Sequence, residues 1–388
     1  MAIRLAILIQ SFGRFGGAER AALLHYNHFK EAGKDVDLFA DFAEKHLWAR
    51  QELSKIVVKP LPRGLAEPEA ITLVNDLDEY DRILIHHHAE PILTYRIVRR
   101  LSAKTAWYSG SIFEPAYSEL LHGEDYRDVS TTFESTTKAF YGRCLGGLGI
   151  ALFPISKRIL RIIDLQTVAR YRKIICNSRY QARYIKNVYG RDSVIVYPPI
   201  ESGLLRANTV PLDIDRQFVM MVGAFVPYKN FEAGIRAMSP LKQSYTLAIV
   251  GSGLLRKQYE QLACKLGIDL RIFFGANDAI MHSLYSKASF LIHPSLFEGF
   301  GFIPAEAALH LKPTILTTRS GVRELLEDQE SSYFCDPTDV PLMQERAKHL
   351  GDEPERACAM GRKAYDSIRS LCSKEQSMNL WAELEGWN

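Results

Sequence analysis

Residues 291–308 read LIHPSLFEGFGFIPAEAA. The apolar run Phe290-Leu291-Ile292-His293 has the length and character of a buried strand. Pro294 ends the pairing, because proline has no N–H to give to a ladder. A loop with Gly299 and Gly301 follows, and then a helix whose first turn is expected to hold Pro304 and Glu306. A glycine loop feeding a helix start presents unpaired N–H groups at a positive dipole end, which favours an anion such as phosphate. Two carboxylates, Glu298 and Glu306, flank that loop. The combination suits a ligand that carries both phosphates and hydroxyls, as a nucleotide sugar does.

Working outward, short apolar runs alternate with helical patterns along nearly the whole chain. That is the pattern of repeated βα units and parallel sheets, hence an α/β fold. The first half predicts strands at Ile3–Ile9, Asp35–Ala40, Ile56–Lys59, Arg82–His86, Thr105–Tyr108, Lys173–Cys176 and Ser193–Tyr197. Pro198-Pro199 breaks the series, and 200–216 lacks sustained periodicity and reads as a linker. A second series predicts strands at Phe218–Val222, Tyr245–Val250, Leu270–Phe274, Phe290–Ile292, Pro313–Leu316 and Ser332–Phe334. Two doubly wound, Rossmann-like domains are therefore expected, facing each other across a cleft at the carboxyl ends of their strands. The expected bounds are 1–205 and 206–372, with a helix over 373–388.

Length and composition agree with this. At 388 residues, 47% hydrophobic and 24% charged, the chain has room for two ordinary soluble domains. No apolar run approaches the roughly 18–20 residues of a membrane span. MAIRLAILIQ leads straight into Gly13–Arg20 and reads as a first strand rather than a leader peptide. The six cysteines are scattered with no CxxC pair, which points away from a zinc site or a disulfide framework and toward a reducing cytoplasm. A net charge of +3 is too small to argue for nucleic acid. One segment departs from the alternation: 111–172 reads as a helical insertion in the first domain. Its part 157–173 carries Lys157, Arg158, Arg161, Arg170, Arg172 and Lys173 against one acid, Asp164, with isoleucines at near-helical spacing. Two readings stay open: a solvated face over an ordinary core stripe, or a helix for peripheral contact with an anionic membrane.

Other candidate residues sit at corresponding strand ends. Gly13-Arg14-Phe15-Gly16-Gly17 follows the first strand, where glycine permits close backbone approach to a phosphate or a sugar. Its spacing is not the dinucleotide fingerprint. Asp41 stands where a ribose-binding acid would, so a nicotinamide enzyme stays open. Gly223–Asn230 brings Lys229 to the end of a second-domain strand, and Gly251-Ser252-Gly253 ends the next. A lysine there can neutralise a diphosphate leaving group. In His86-His87-His88 the alternation of a strand puts His86 and His88 on one face, so the three cannot bind one metal; a contact to a sugar hydroxyl or a base is expected instead. Asp76-Leu77-Asp78 and Asp213-Ile214-Asp215 read as surface acids, and no metal ligand set is expected.

Together these pieces resemble glycosyltransferase family 4, the retaining group-1 glycosyltransferases of the GT-B fold. GGAER at 16–20, VGAFVPYKN at 222–230, HPSLFEGFGFIPAEA at 293–307 and SGVRELLEDQESSYFCDPTD at 320–339 carry the resemblance, the third as an E-x7-E signature. RYRKIICNSRYQARYIKNVYG and VYPPI at 196–200 resemble the mannosyltransferase branch. The resemblance implies that Glu306 holds the nucleotide ribose and Glu298 lies by the donor sugar. Gly16, Gly17, Gly251, Gly253 and the backbone of Gly299, Phe300, Gly301 and Phe302 would meet donor phosphate and sugar, and Lys229 the diphosphate. It implies no metal or other cofactor and a final helix crossing back to the first domain; beside it, His88 is expected as a catalytic histidine that compensates for a missing family histidine, with His86, Ser109 and Ser111 expected on the acceptor side. The expected activity moves a hexose from a nucleotide sugar to a glycan, lipid-linked or small acceptor in cell-surface polysaccharide or glycoconjugate synthesis. GDP-mannose is the first donor expected and a UDP-hexose the next, at a cytoplasmic or peripheral inner-membrane site with no nucleic-acid partner. Two positions depart from the pattern. Ala224 stands where the family has an arginine, and Tyr108-Ser109-Gly110-Ser111 where it often has a histidine. They motivate the alternative of a catalytically weak or inactive nucleotide-sugar-binding partner protein.

Overall fold

The computed structural model describes residues 3–11, 17–42, 58–60, 68–86, 91–110, 158–200, 208–370 and 374–387. It divides into two compact units, Met1–Pro199 with Ser373–Asn388, and Ile200–Cys372. The division therefore falls at Pro199, a few residues before the expected 205.

The first unit is built on β1 (Arg4–Ser11), β2 (Asp35–Phe42), β3 (Val58–Pro60), β4 (Arg82–His86), β5 (Thr105–Ser109), β6 (Lys173–Cys176) and β7 (Val194–Ile195). These form one sheet in the order β3-β2-β1-β4-β5-β6-β7, every described pairing parallel. A parallel sheet needs helices on both faces, so its strands are apolar on both sides. Leu5, Ile7, Leu84 and Ile175 point to one face, covered by α1 (Gly17–Glu31) and α12 (Lys374–Glu385). Ala6, Leu8, Ile83, Ile85 and Trp107 point to the other. That face is covered by α2 (Pro68–Leu77), α3 (Pro91–Leu101), α4 (158–170) and α5 (Arg179–Tyr189).

The second unit holds β8 (Gln217–Val222), β9 (Tyr245–Val250), β10 (Leu270–Phe273), β11 (Phe290–His293), β12 (Thr314–Thr317) and β13 (Tyr333–Cys335), in the all-parallel order β10-β9-β8-β11-β12-β13. One face packs on α6 (Phe231–Ala237), α7 (Arg256–Leu266), α10 (Val340–Asp352) and α11 (Pro354–Arg369). The other packs on α8 (Asp278–Lys287) and α9 (Phe302–Leu309). Leu212 and Ile214 pack against this second face, so the described part of the stretch read as a linker belongs to the unit.

In each sheet the strand order reverses once: between β1 and β4 in the first, between β8 and β11 in the second. Outside the carboxyl ends of such a pair the two flanking loops run apart and leave a crevice. Helix α9 corrects one expectation. It starts at Phe302 after Gly301, so Pro304 is in the first turn but Glu306 falls in the second.

Helix α12 is part of the first unit. Leu380, Trp381 and Leu384 are buried there, and the Trp381 ring meets Phe29 of α1 edge-on at 5.1 Å. Lys173 donates to the Glu383 side chain, and Arg82 Nε donates to Leu384 O at 3.0 Å. The second unit, Ile200–Cys372, contains no tryptophan, so tryptophan fluorescence reports the unfolding of the first unit. Trp381→Ala is expected to destabilise the first unit by about 3–5 kcal/mol. A tryptophan-detected urea transition with an unchanged midpoint would contradict that packing role.

Candidate functional site

The second unit's reversal point brings together four loops that follow β8, β9, β11 and β12. They are stitched by their main chains. Gly223 N–H donates to Val250 O at 3.0 Å, Phe225 N–H to Ser252 O at 2.8 Å, Leu296 N–H to Tyr228 O at 2.8 Å, and Glu298 N–H to Arg319 O at 3.0 Å. Gly251 is required by this closeness: a Cβ there would lie 1.9 Å from Gly223 O, and its φ is +152°. Gly301 is required for another reason. Its φ of +103° turns the chain into α9, and a Cβ would lie 2.7 Å from Ser320 Oγ. Gly253 shares the β9 loop with Gly251, and Gly299 and Phe300 are buried between the Glu298 and Phe302 positions.

Lys229 and Glu298 meet in the middle of this ring of loops. Lys229 closes a short turn, Pro227–Lys229, after β8, and its ammonium donates to Glu298 Oε1. Both side chains are largely buried, at 14% and 17% exposure. Ser295 Oγ donates to the same oxygen at 3.0 Å. His293 Nε2 lies 3.3 Å from it, an electrostatic contact. Burial raises the proton affinity of Glu298, but the charge of Lys229 and the contact with His293 outweigh it and hold the carboxyl well below the usual carboxylate range. Glu298 is therefore ionised throughout the neutral range and accepts hydrogen bonds rather than supplying a proton. The next residue, Asn230, has a left-handed φ of 52°, and its amide donates to Pro294 O and Pro337 O at 3.0 and 2.8 Å. That pair of bonds fixes the β8 loop against the loops after β11 and β13.

Glu306 is 3% exposed and sits at the same end of the sheet. Its Oε2 accepts from the Tyr285 hydroxyl at 2.7 Å. The Tyr285 ring stacks on His310 with centroids 4.8 Å apart. Because the Glu306 carbonyl can only accept, His310 Nδ1 carries the proton in its 2.8 Å bond to that oxygen. His310 Nε2 then accepts from His282 Nδ1 at 3.1 Å. Helix α9 has no side-chain cap at its N-terminus, and Phe302, partly exposed, opens it.

The structure thus joins Lys229 to Glu298 and places both at the reversal point with Gly251, Gly253, Gly299–Phe302 and Glu306. His293, Ser295, Tyr285 and His310 were given no role from sequence. The first two lie within the quoted signature and were open to inclusion. Tyr285 had no signal, because its partner Glu306 lies on another helix. In the first unit, Gly17 is the first residue of α1. Gly16, His88, Ser111 and Arg14 lie outside the described residues, as does the insertion over 111–157. His86 and Ser109, expected on the acceptor side, are both buried at the ends of their strands. His86 is 1% exposed with its ring 4.7 Å from Tyr108, and Ser109 is fully buried, its hydroxyl accepting from Gln181 Nε2 at 3.1 Å. A sheet covered on both faces turns its strand residues into packing. Asp76, Asp78, Asp213 and Asp215 are exposed, as expected of surface acids. Among the described residues no group of three or more histidines, cysteines and carboxylates gathers for a metal.

Comparison with known proteins follows this geometry. Residues 208–367 match the family of glycosyl transferases group 1. An uncharacterized glycosyltransferase of Methanocaldococcus jannaschii, MJ1178, is 26% identical over 191 residues, 49% of this chain and 52% of the relative. The O-antigen chain mannosyltransferase RfbU of Salmonella typhimurium is 25% identical over 204 residues, 52% of this chain and 57% of the relative. The chain spans about half the length of these relatives. The crystal structure of Anabaena Alr3699/HepE in complex with UDP-glucose has the same fold, with a TM-score of 0.75, 17% identity and 99% of each chain covered.

The buried imidazole beside Glu306 makes the second unit acid-sensitive. Burial lowers the His310 pKa from 6.5 to about 4. As pH falls below 6.5 the unfolded chain takes this proton first, so stability falls until about pH 4, where the folded form is protonated too. The expected loss across that window is roughly 3 kcal/mol, read by far-UV circular dichroism in the urea transition that leaves tryptophan fluorescence unchanged. His310→Gln should abolish this part of the pH slope, and an identical slope in the variant would remove His310 as its source.

Proposed function

We propose that this chain, whose residues 208–367 match the group 1 glycosyl transferases, is a retaining hexosyltransferase that takes its sugar from a nucleotide sugar and needs no metal. The observation that carries the reading is the pairing of Lys229 with Glu298 at the reversal point of the second sheet, beside Glu306. An ammonium has three donors, so Lys229 can keep Glu298 and still bind a phosphate oxygen. It then neutralises the charge that grows on the departing diphosphate. The N–H groups of Gly299–Phe302 add the positive end of α9. Glu306 accepts from the two ribose hydroxyls; its carboxylate offers about four acceptor sites, one of them used by Tyr285. Glu298, ionised and fixed by three neighbours, accepts from the donor sugar's hydroxyls.

Retention then follows a front-face course, in which the leaving phosphate and the incoming hydroxyl share one side of an oxocarbenium-like centre. No second carboxylate is assigned as a nucleophile, and the leaving phosphate serves as base for the acceptor hydroxyl. His88 is kept as the catalytic histidine that compensates for the one missing near Ser109. Mannose from GDP-mannose is the first donor, in keeping with the named activity of RfbU, and UDP-glucose the next, in keeping with the ligand of the HepE complex. The acceptor is a glycan, lipid-linked or small hydroxyl compound.

A second reading rests on Ala224, exposed at the end of β8 where the family has an arginine. With one diphosphate cation fewer, the chain would bind the donor and transfer it slowly or not at all. The two readings separate in a nucleotide-sugar panel run with EDTA and without acceptor. A donor that raises the melting temperature and is slowly hydrolysed supports the transferase. Stabilisation without hydrolysis or transfer across an acceptor panel supports the binding protein, and no response to any nucleotide sugar overturns both.

Two variants sharpen the assignment. Glu306→Ala is expected to weaken donor binding by about ten- to a hundredfold, the worth of a hydrogen bond to a charged group, measured by calorimetric titration. Lys229→Ala is expected to lower turnover by roughly a hundredfold or more with a smaller change in donor affinity. Unchanged turnover would take Lys229 out of the diphosphate site.

A further inference from the structure

The helices α3, α4 and α5 lie side by side on one face of the first sheet. The Arg170 guanidinium of α4 lies 5.6 Å from the Tyr95 ring of α3. On its other side, Asp164 of α4 accepts from the Tyr189 hydroxyl of α5 at 2.8 Å, and Arg191 donates to Val168 O and Ala169 O. The three helices therefore form one continuous layer. Their inner sides hold Leu93, Ile97, Val168 and Ile185 against the sheet.

The outer side of that layer has an unusual chemistry. Helix α3 exposes Arg96, Arg99 and Arg100, and α5 exposes Arg179, Arg183 and Lys186. Helix α4 adds the exposed Arg158 and Arg170. The single acid in the three helices, Asp164, is 3% exposed and turned inward to Tyr189. Between the two basic helices α4 exposes aliphatic side chains: Ile159 at 52%, Ile162 at 55% and Leu165 at 37%. Large apolar groups grouped on a surface mark an interaction site when basic residues rim them. The amphipathic pattern of α4 is thus inverted relative to a core stripe, because Ile159 and Ile162 face out while Asp164, Thr167 and Val168 face in.

We propose that this face rests on an anionic lipid bilayer, with Ile159, Ile162 and Leu165 entering the headgroup–acyl boundary and the arginines of α3, α4 and α5 engaging lipid phosphates. The charge is complementary to anionic headgroups, and long arginine side chains bury their stems while keeping their guanidinium groups among phosphates. The central stripe selects among polyanions. A nucleic acid would leave branched aliphatic side chains wet and would instead reward aromatic side chains for base stacking. A bilayer takes up aliphatic groups at that depth. The inference concerns the first unit and does not depend on the donor site of the second.

The test is sedimentation of the full chain with sucrose-loaded vesicles, without nucleotide sugar. Phosphatidylcholine vesicles are compared with phosphatidylcholine–phosphatidylglycerol vesicles. Preference for the anionic vesicles, weakened by salt, is expected. Arg99→Glu with Arg100→Glu should lower the partition coefficient by about twentyfold or more, at roughly fivefold per basic residue removed. Ile159→Ser with Ile162→Ser should lower it by about tenfold or more at unchanged salt dependence. Lys242→Glu with Lys257→Glu makes the same charge change at exposed positions of the second unit and should leave it unaltered. All four altered positions of the first unit are exposed, and tryptophan-detected unfolding checks that the unit stays folded. Equal partition to neutral and anionic vesicles, or none to either, overturns the proposal. A loss on the arginine pair with no loss on the isoleucine pair also overturns it, and points to another polyanion.

Discussion

The second unit depends on one pair of charges, the Lys229 ammonium and the Glu298 carboxylate, brought together with little water around them. A charge in such a place is costly unless a partner and further hydrogen bonds compensate it. The two residues are 69 positions apart and sit at the ends of β8 and β11. They can meet only because those strands are neighbours at the reversal point of the sheet. Ser295 and His293 share the same oxygen, and the main chain of Glu298 is bonded to the 319–321 segment on both sides, through Arg319 O and the Gly321 N–H. Once that carboxylate is held, the glycine loop behind it has its course set, and with it the start of α9.

The same constraint explains where the rest of the site stands. Parallel strands bury both faces, so polar residues inside a strand are turned into packing, and those just beyond its carboxyl end become available. His86 and Ser109 belong to the first class and Lys229 and Glu298 to the second. Glu306 is between the two. It is buried, but Tyr285 and the main-chain bond of its carbonyl to His310 supply partners from within the unit. The first unit applies the same sheet physics to a different end. Its helices α3, α4 and α5 satisfy the sheet with their inner sides and leave a basic and aliphatic outer layer.

Much of this was legible from the sequence, for a physical reason. The strands Arg82–His86, Lys173–Cys176 and Tyr245–Val250 begin and end where the apolar runs do. Central parallel strands are continuous apolar runs bounded by turn residues, which leaves little ambiguity. The edge strand β7 was less legible: Ser193–Tyr197 was expected and only Val194–Ile195 pairs. An edge strand has one neighbour, so its sequence is less constrained. The two acids of the E-x7-E signature were legible because their spacing sits in a strand–loop–helix context. The inward turn of His86 was not, since the covering of its face by α1 and α12 involves a helix nearly 300 residues away.

The sequence alone determined the alternation of strands and helices, the two-unit organisation, the glycine loop before α9 and the pair of carboxylates around it. Those features are local: hydrophobic period, proline and glycine placement, and spacing within a few turns. Only the tertiary structure decided that Glu298 pairs with Lys229, that Tyr285 holds Glu306, and that Ile159 and Ile162 face outward among arginines. Each of those depends on which strands become neighbours and which helix side meets the sheet. That choice is made by the packing of distant segments, which no local spacing encodes.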